Sequence, residues 1–274
     1  MTNISDHIII PKWLDDFLVR DLSAYFIRKN TDLVVLEWNE EDILGYLGTY
    51  FPRSYAESYR IFTLFFSKYK SRYESNKTIS IFDFGCGTGG ELVGFIVAAS
   101  ELLPNLECIE LRALDGNAHE LRYLELILNK VSSITGIKCC VRLMPIVIED
   151  FYDMKVVTDV ITQKYDFFIS FKAICEFVTK KQFDERNPYE HIINTFLPKL
   201  SKEGIICIAD ITTFNKVSNE WLTNMLDKAS TSCDVIVLEK NHGYNEVCYV
   251  THSLRKRDLS KIAWRIYKPK NNKS

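Results

Sequence analysis

"IFDFGCGTGGE", residues 81–91, decides how this chain is to be read. A short apolar run carrying one acid, Asp83, ends in glycines at 85, 87, 89 and 90, and the apolar segment "ELVGFIVAASELL" follows at once. A strand that passes through a glycine-rich turn into a helix brings backbone N–H groups and the positive end of a helix dipole to the carboxyl edge of a sheet. Ligands of open α/β sheets bind at that edge, so the glycines open the backbone to a ligand. Two spacings overlap here. Gly85, Gly87 and Gly90 complete the G-x-G-x-x-G of a dinucleotide site, whereas Gly85, Gly87 and Gly89 bring the third glycine one position early. The glycines alone leave both open.

Outward from this turn, residues from 79 onward alternate short apolar strands with helix-length amphipathic segments, the pattern of a mostly parallel sheet with helices on both faces. "ISIFDF", "CIELRALD", "CCVRLMPIVI", "YDFFISF" and "IICIADI" read as strands one to five. "AHELRYLELILNKVSSI" reads as a helix with Leu121, Leu124 and Leu128 on one face, and "YEHIINTFLPKLSKEG" as a helix closed by Gly204. "DVIVLEK", "EVCYVTH" and "KIAWRIYK" supply terminal strands. The first quarter differs. "PKWLDDFLVRDLSAYFIRK" carries one apolar stripe at helical spacing from Leu14 to Phe26, and "NEEDILGYLGTYF" and "RSYAESYRIFTLFFSKYK" are further helices. The polar run "SRYESNK" at 71–77 is a linker, giving a helical cap at 1–75 and a Rossmann-like α/β domain at 76–274.

Composition narrows the class. With 274 residues, 47% hydrophobic and 26% charged, the chain is an ordinary globular protein. A net charge of -2 gives no global attraction for a polyanion. One local patch is basic, the tail "RKRDLSKIAWRIYKPKNNKS" from Arg255, which reads as a solvated edge strand with a frayed end or as a path for RNA. The eight cysteines include no CxxC pair and most lie in apolar runs, so they read as reduced thiols, with no metal site; the five histidines lack metal-ligand spacing. The N-terminus lacks a basic stretch followed by a long apolar core, and no apolar window spans a bilayer, so a cytoplasmic protein without membrane contact is expected.

"DFGCGTG" resembles the first motif of class I S-adenosylmethionine (SAM) dependent methyltransferases, with Asp83 two positions before the first glycine. The resemblance covers roughly residues 79–211. It implies SAM as cofactor and S-adenosylhomocysteine (SAH) as product, with Asp83 near the amino end of the ligand and Gly85, Cys86, Gly87 and Gly89 making room for its methionine moiety and ribose. Asp115, closing strand two, matches the acid that takes the ribose hydroxyls, a role apt for an ionised carboxylate. By the same resemblance, Glu149 or Asp150 after strand three stands opposite the adenine amino group. Ser170, Phe171, Lys172 and Glu176, at the end of strand four, line the space between methyl group and substrate. The layout of "YLGTYFPRSYAESYRIF", "SFKAICEF" and "FLPKLSKEG" also resembles methyltransferase-like proteins of the mitochondrial small-ribosomal-subunit assembly family, which carry a cysteine cluster that this sequence lacks.

The expectation is therefore transfer of a methyl group to an O or N nucleophile of a small or peptide-like acceptor by in-line displacement. Ser170 is expected beside the cofactor, Glu176 as the proton acceptor with Lys172 as its possible i,i+4 partner, and Arg53, Tyr55 and Phe171, with Tyr59 nearby, at the substrate. Cys86 is a small filler, and Cys175 lacks the Pro-Cys pair of RNA C5-methylating enzymes. Three alternatives stay open: a ribosomal RNA methyltransferase, a non-catalytic SAM-binding assembly module, and a nicotinamide-dependent oxidoreductase using Gly85, Gly87 and Gly90.

Overall fold

A computed structural model of the chain describes residues 7–27, 38–178, 180–211, 214–215, 220–241 and 247–270. In chain order, β1 (His7–Ile9) leads into α1 (Lys12–Asp16), prolonged by one π-helical turn over Phe17–Asp21. Ser23 then takes a φ of 63°, and residues 23–27 run without helix, so the helix expected to reach Phe26 stops five residues earlier. The apolar stripe continues because this segment crosses α2 (Glu40–Thr49), where Tyr25 N–H donates to the Leu44 carbonyl at 3.2 Å. Gly48 leaves the room for that crossing: a Cβ there would fall within 2.8 Å of the Tyr25 nitrogen. The run "NTDLVVL" before Trp38 lies outside the described residues.

α3 (Phe51–Tyr69) starts with Pro52 in its first turn, and β2 (Thr78–Phe84) follows. Then come α4 (Gly90–Leu102), β3 (Cys108–Asp115), α5 (Ala118–Thr135), β4 (Lys138–Pro145), α6 (Lys155–Val160), β5 (Tyr165–Phe171), α7 (Ile174–Phe177), α8 (Lys180–Glu185), α9 (Pro188–Phe196) and β6 (Leu200–Ile211). Gly204 lies inside β6, where its missing Cβ admits the Tyr165 carbonyl at 2.7 Å, so it does not close the preceding helix. The two-residue strands β7 (Phe214–Asn215) and β8 (Glu220–Trp221) pair with each other, and α10 (Leu222–Ser232), β9 (Val235–Lys240), β10 (Cys248–His252), β11 (Arg255–Ser260) and β12 (Ile262–Pro269) complete the chain.

Seven strands form one sheet in the order β4-β3-β2-β5-β6-β12-β9. β12 runs antiparallel to both neighbours, and the β2–β6 half is parallel throughout. β2 shows how sequence sets the layers. Ile79 and Ile81 pack with α3, α4 and α5, while Phe82 and Phe84 pack on the other face with Phe168 and Phe196. Asp83 shares the parity of Ile81 and so faces α4.

The basic tail divides in two. β12 is an interior strand whose Arg265 is 1% exposed and bonds Asp227 and the Asn241 carbonyl, and Tyr267 donates to the Leu226 carbonyl. That half is neither a solvated edge nor frayed. β11 is the edge of a three-stranded sheet with β10 and β1, and its Arg255, Lys256 and Arg257 are exposed. Residues 271–274 lie outside the described residues. Among the described residues no helix is long and apolar enough to cross a membrane.

Candidate functional site

The parallel register pairs Asp83 with Ala113 and Phe84 with Leu114, which puts the ends of β2 and β3 side by side. Gly85, Gly87 and Gly89 all have positive φ, and Gly89 is the left-handed cap of α4. The turn is stitched to β3: Gly85 and Cys86 N–H both donate to the Leu114 carbonyl, and Gly87 N–H donates to Asp115 Oδ2 at 2.8 Å. Asn117 N–H holds the other Asp115 oxygen at 2.9 Å. Each carboxylate oxygen keeps a further lone pair, so Asp115 braces the loop and still has acceptor capacity. Cys86 is buried filler beneath the turn. Gly90 packs against another helix. With Gly94 it forms the flat face on which α3 lies, and a Cβ at Gly90 would come within 2.7 Å of the Phe51 carbonyl.

Asp83 is 0% exposed, and neither of its oxygens has a donor at full hydrogen-bond geometry. Its polar neighbour is Glu91, in the first turn of α4, also buried. Desolvation, then the charge and contact of Glu91, push the Asp83 carboxyl far above the ordinary range. Desolvation likewise raises Glu91 to about 8, moderated by Lys172. Glu120, capped into α5 by Asn117, is a third buried acid, raised by desolvation and by Asp115, and its Oε2 has no partner. The Thr88 hydroxyl is also buried without a partner.

Sequence reasoning passed over Glu91 and Glu120, together with an aromatic wall. Trp38 packs tilted against Tyr46 at a centroid separation of 5.1 Å, and Tyr46 stacks on Tyr50 at 5.0 Å. A Cβ on Gly87 would lie 3.7 Å from the Glu120 carboxylate oxygens and 3.8 Å from the Tyr46 hydroxyl, so α2 closes over the glycine turn. The i,i+4 spacing of Tyr46 and Tyr50 was the available signal.

At the far side, β5 is followed by Lys172, whose φ is 57° although it is not a glycine. This left-handed kink, tied by Lys172 N–H to the Ala209 carbonyl at 2.7 Å, starts the short helix α7. The Lys172 ammonium ion pairs with Glu57 of α3 at 2.9 Å, in place of the i,i+4 pairing with Glu176. Glu57 is buried and accepts from Ser260. Glu176 is exposed, and its carboxyl is pushed up to about 7 by desolvation, then by Asp210 and Asp115; water reaching the side chain screens part of that effect. Asp210, at the end of β6, is buried, accepts from Tyr189 at 2.9 Å and lies beside Cys175, whose thiol desolvation drives far up. Such a thiol is no nucleophile.

Four expected contacts are engaged elsewhere. Arg53 closes bidentately on Asp258 of β11 at 2.7 and 2.9 Å, fixing the cap helix to the small sheet. Tyr55 is buried and stacks on Tyr59 at 5.8 Å. Ser170 donates to the Phe84 carbonyl at 3.0 Å, on the face away from α4, and joins β5 to β2. Phe171 packs in the core. Glu149 and Asp150 follow β4 as exposed residues, Asp150 capping a turn at Tyr152 N–H.

Neither a family model nor a curated protein sequence matches the chain. Solved structures similar to it include a putative RNA methyltransferase from Pyrococcus horikoshii, 11% identical over 95% of this chain and 98% of that one, with a TM-score of 0.47. An SAH-bound methyltransferase from Podospora anserina is 12% identical over 96% and 89%, at 0.46, and a precorrin-6y C5,15-methyltransferase from Geobacter metallireducens is 16% identical over 73% and 85%, at 0.40. On its own strand order, with β12 antiparallel between β6 and β9 and a glycine turn at the carboxyl edge of β2, the chain has the Rossmann-like class I methyltransferase fold.

Proposed function

We propose that the chain is a SAM-dependent methyltransferase acting on an O or N nucleophile of a small or peptide-like acceptor. The observation that carries this reading is the pairing of Asp83 and Asp115 on adjacent strand ends around a left-handed glycine turn, with both Asp83 oxygens buried and without full donors. A buried acid in that state fits the ammonium of the ligand's methionine end, and Asp115 keeps lone pairs for vicinal hydroxyls. Bound there, SAM supplies a methyl group made electrophilic by its sulfonium. The protein's part is to align the acceptor, which contributes up to about 7–11 kcal/mol of barrier lowering, and to take its proton. Glu176 would take that proton, a role supported by its exposure and by a carboxyl pushed up to about 7, which suits a general base working at neutral pH.

Calorimetric titration with SAM, SAH and NAD tests the reading. The adenosyl ligands should bind, NAD should not, and Asp115→Ala should weaken SAH at least tenfold, about 1.4 kcal/mol. Binding of NAD in place of SAM overturns the proposal, and so does an Asp115→Ala protein that binds SAH as before. A second reading, an RNA acceptor, is favoured by the exposed Arg255, Lys256 and Arg257 on β11, where Arg257 lies 4.5 Å over the Tyr249 ring and Arg255 lies 5.0 Å over Phe26. Binding that falls steeply with added salt would favour it.

A further inference from the structure

Glu91 is a buried acid for which the proposed reaction has no use. It is 4% exposed in the first turn of α4, and its helix cannot turn it towards water. Ser58 of α3 donates to its carbonyl, and the glycines on either side of it, Gly90 and Gly94, lie flat against α3. Its carboxyl is held against Asp83, which is 0% exposed and has no full donor on either oxygen. The titratable and charged groups around the two are Asp115 of β3, Glu120 of α5, Glu57 of α3, Tyr46 of α2, Cys86 of the turn and Lys172 after β5. Lys172 is the one cation in this set, and Glu57 already holds it at 2.9 Å. Two carboxyls in contact, without water and without a cation of their own, cannot both be ionised, so protons are held there. A second observation comes from the turn that joins them. The Thr88 hydroxyl, 1% exposed, is also without a partner, so the segment 83–91 carries more buried polar groups than it satisfies.

We infer that Glu91 is a second binding residue for the donor's ammonium, and that the ammonium, on entering, displaces a proton that Asp83 and Glu91 hold between them. The inference rests on the donor site proposed above and deepens it. The exchange balances as one cation in and one proton out. The ammonium supplies N–H donors to Asp83, one carboxyl O–H bond breaks with its electron pair left on oxygen, and the proton passes to the buffer. An ammonium set against the protonated pair would instead be a buried charge without a counterion, facing an O–H where it needs an acceptor. Burial holds both acids above their ordinary values, Glu91 at about 8, so at neutral pH the proton is present to be displaced. Because binding releases a proton, SAH should tighten as the pH rises from 6 to 8, by up to about tenfold per pH unit.

Calorimetric titration of the whole chain with SAH at pH 7, in phosphate and in Tris, counts that proton, because the ionisation of these buffers takes up little and much heat respectively. SAH should release about one. Methylthioadenosine, which keeps the adenosine and the thioether but has no ammonium, should bind with the same heat in both buffers. In Glu91→Gln an amide N–H stands in for the shared proton, and release on binding SAH should fall to about half or less. The comparison of buffers on the unaltered chain holds even where that variant fails to fold. Equal SAH heats in the two buffers, a proton released as readily by methylthioadenosine, or undiminished release from a folded Glu91→Gln protein overturns the inference. The two readings fail in different ways. SAH bound with equal heats sinks the proton displacement and leaves the donor site standing, whereas a chain that binds neither adenosyl ligand sinks the donor site and the displacement with it.

Discussion

Asp83 is buried with no full donor and is held against Glu91, at a cost in stability that the ammonium of the proposed ligand would offset. Asp83→Asn keeps the shape, removes the like-charge contact and lets an amide donate to Glu91. The ligand-free variant should be more stable at pH 8 by about 1 kcal/mol or more, on the scale of one pKa unit, and should bind SAH at least tenfold more weakly. Thermal melts and calorimetry on the same preparation check both. A variant that is less stable and binds normally would make Asp83 a structural acid. Asp83 and Asp115 were legible in the sequence because strand parity and the glycine spacing fix where they point. Arg53 was not, because its partner Asp258 lies 205 residues away and no local pattern announces it. The Ser170 bond to Phe84 was hidden for a related reason: a serine at a strand end can bond a ligand or a neighbouring strand, and the register of β5 on β2 supplies the strand partner.

At the scale of elements, the contact between α3 and α4 positions the cap over the site. Ser54 and Ser58 of α3 face Gly90 and Gly94 of α4, and Ser58 donates to the Glu91 carbonyl at 2.5 Å. A Cβ on Gly94 would overlap the Tyr55 carbonyl and lie 2.7 Å from the Tyr59 nitrogen. Alanine in place of an exposed helical glycine would stabilise by about 1 kcal/mol; here the clash reverses the sign. Gly94→Ala should destabilise by about 1–3 kcal/mol, the usual cost of overpacking, read from the urea midpoint, and should weaken SAH as α3 moves Glu57 and Lys172. An unchanged midpoint would show that the helices part freely. This contact explains why Gly90 misleads: it completes a dinucleotide spacing in the sequence, yet its hydrogen faces a helix that no local reading can place. The parallel half of the sheet was legible from alternating apolar runs. β1 was not, because three residues carry no period, and the strand exists only through β10, some 240 residues on.

Over the whole molecule, two sets of acids set opposite pH limits. Asp258 is raised by desolvation, but the hydrogen bonds of His252 and Arg53 and the Arg53 charge outweigh that and hold it far below the usual range. Hydrogen bonding and charge from Lys268 and Arg265 lower Glu203 and Asp227 in the same sense, against desolvation. For these groups the folded state gives up protons that the unfolded chain keeps, so they add stability above pH 4 that is lost as the pH falls. Glu91 works the other way. Its ordinary value of 4.5 rises to about 8, so the folded protein keeps a proton that the unfolded chain has released, and stability drains away as the pH climbs through that window. His191, lowered by burial, opposes this trend only below its ordinary value of 6.5. Asp83, Glu120 and Glu176 are raised in the same sense, so between pH 6.5 and 8 the ligand-free protein should lose stability with a slope to which Glu91 alone contributes up to about 1.4 kcal/mol per pH unit. Urea unfolding at pH 6.5, 7.2 and 8 measures that slope, and Glu91→Gln should reduce it by that share. Saturating SAH should flatten it as well, because a cation seated against Asp83 favours the ionised acids there. A slope untouched by Glu91→Gln would move its origin to another group, and a slope untouched by SAH in a protein that binds it would place the ligand's positive charge away from Asp83 and Glu91.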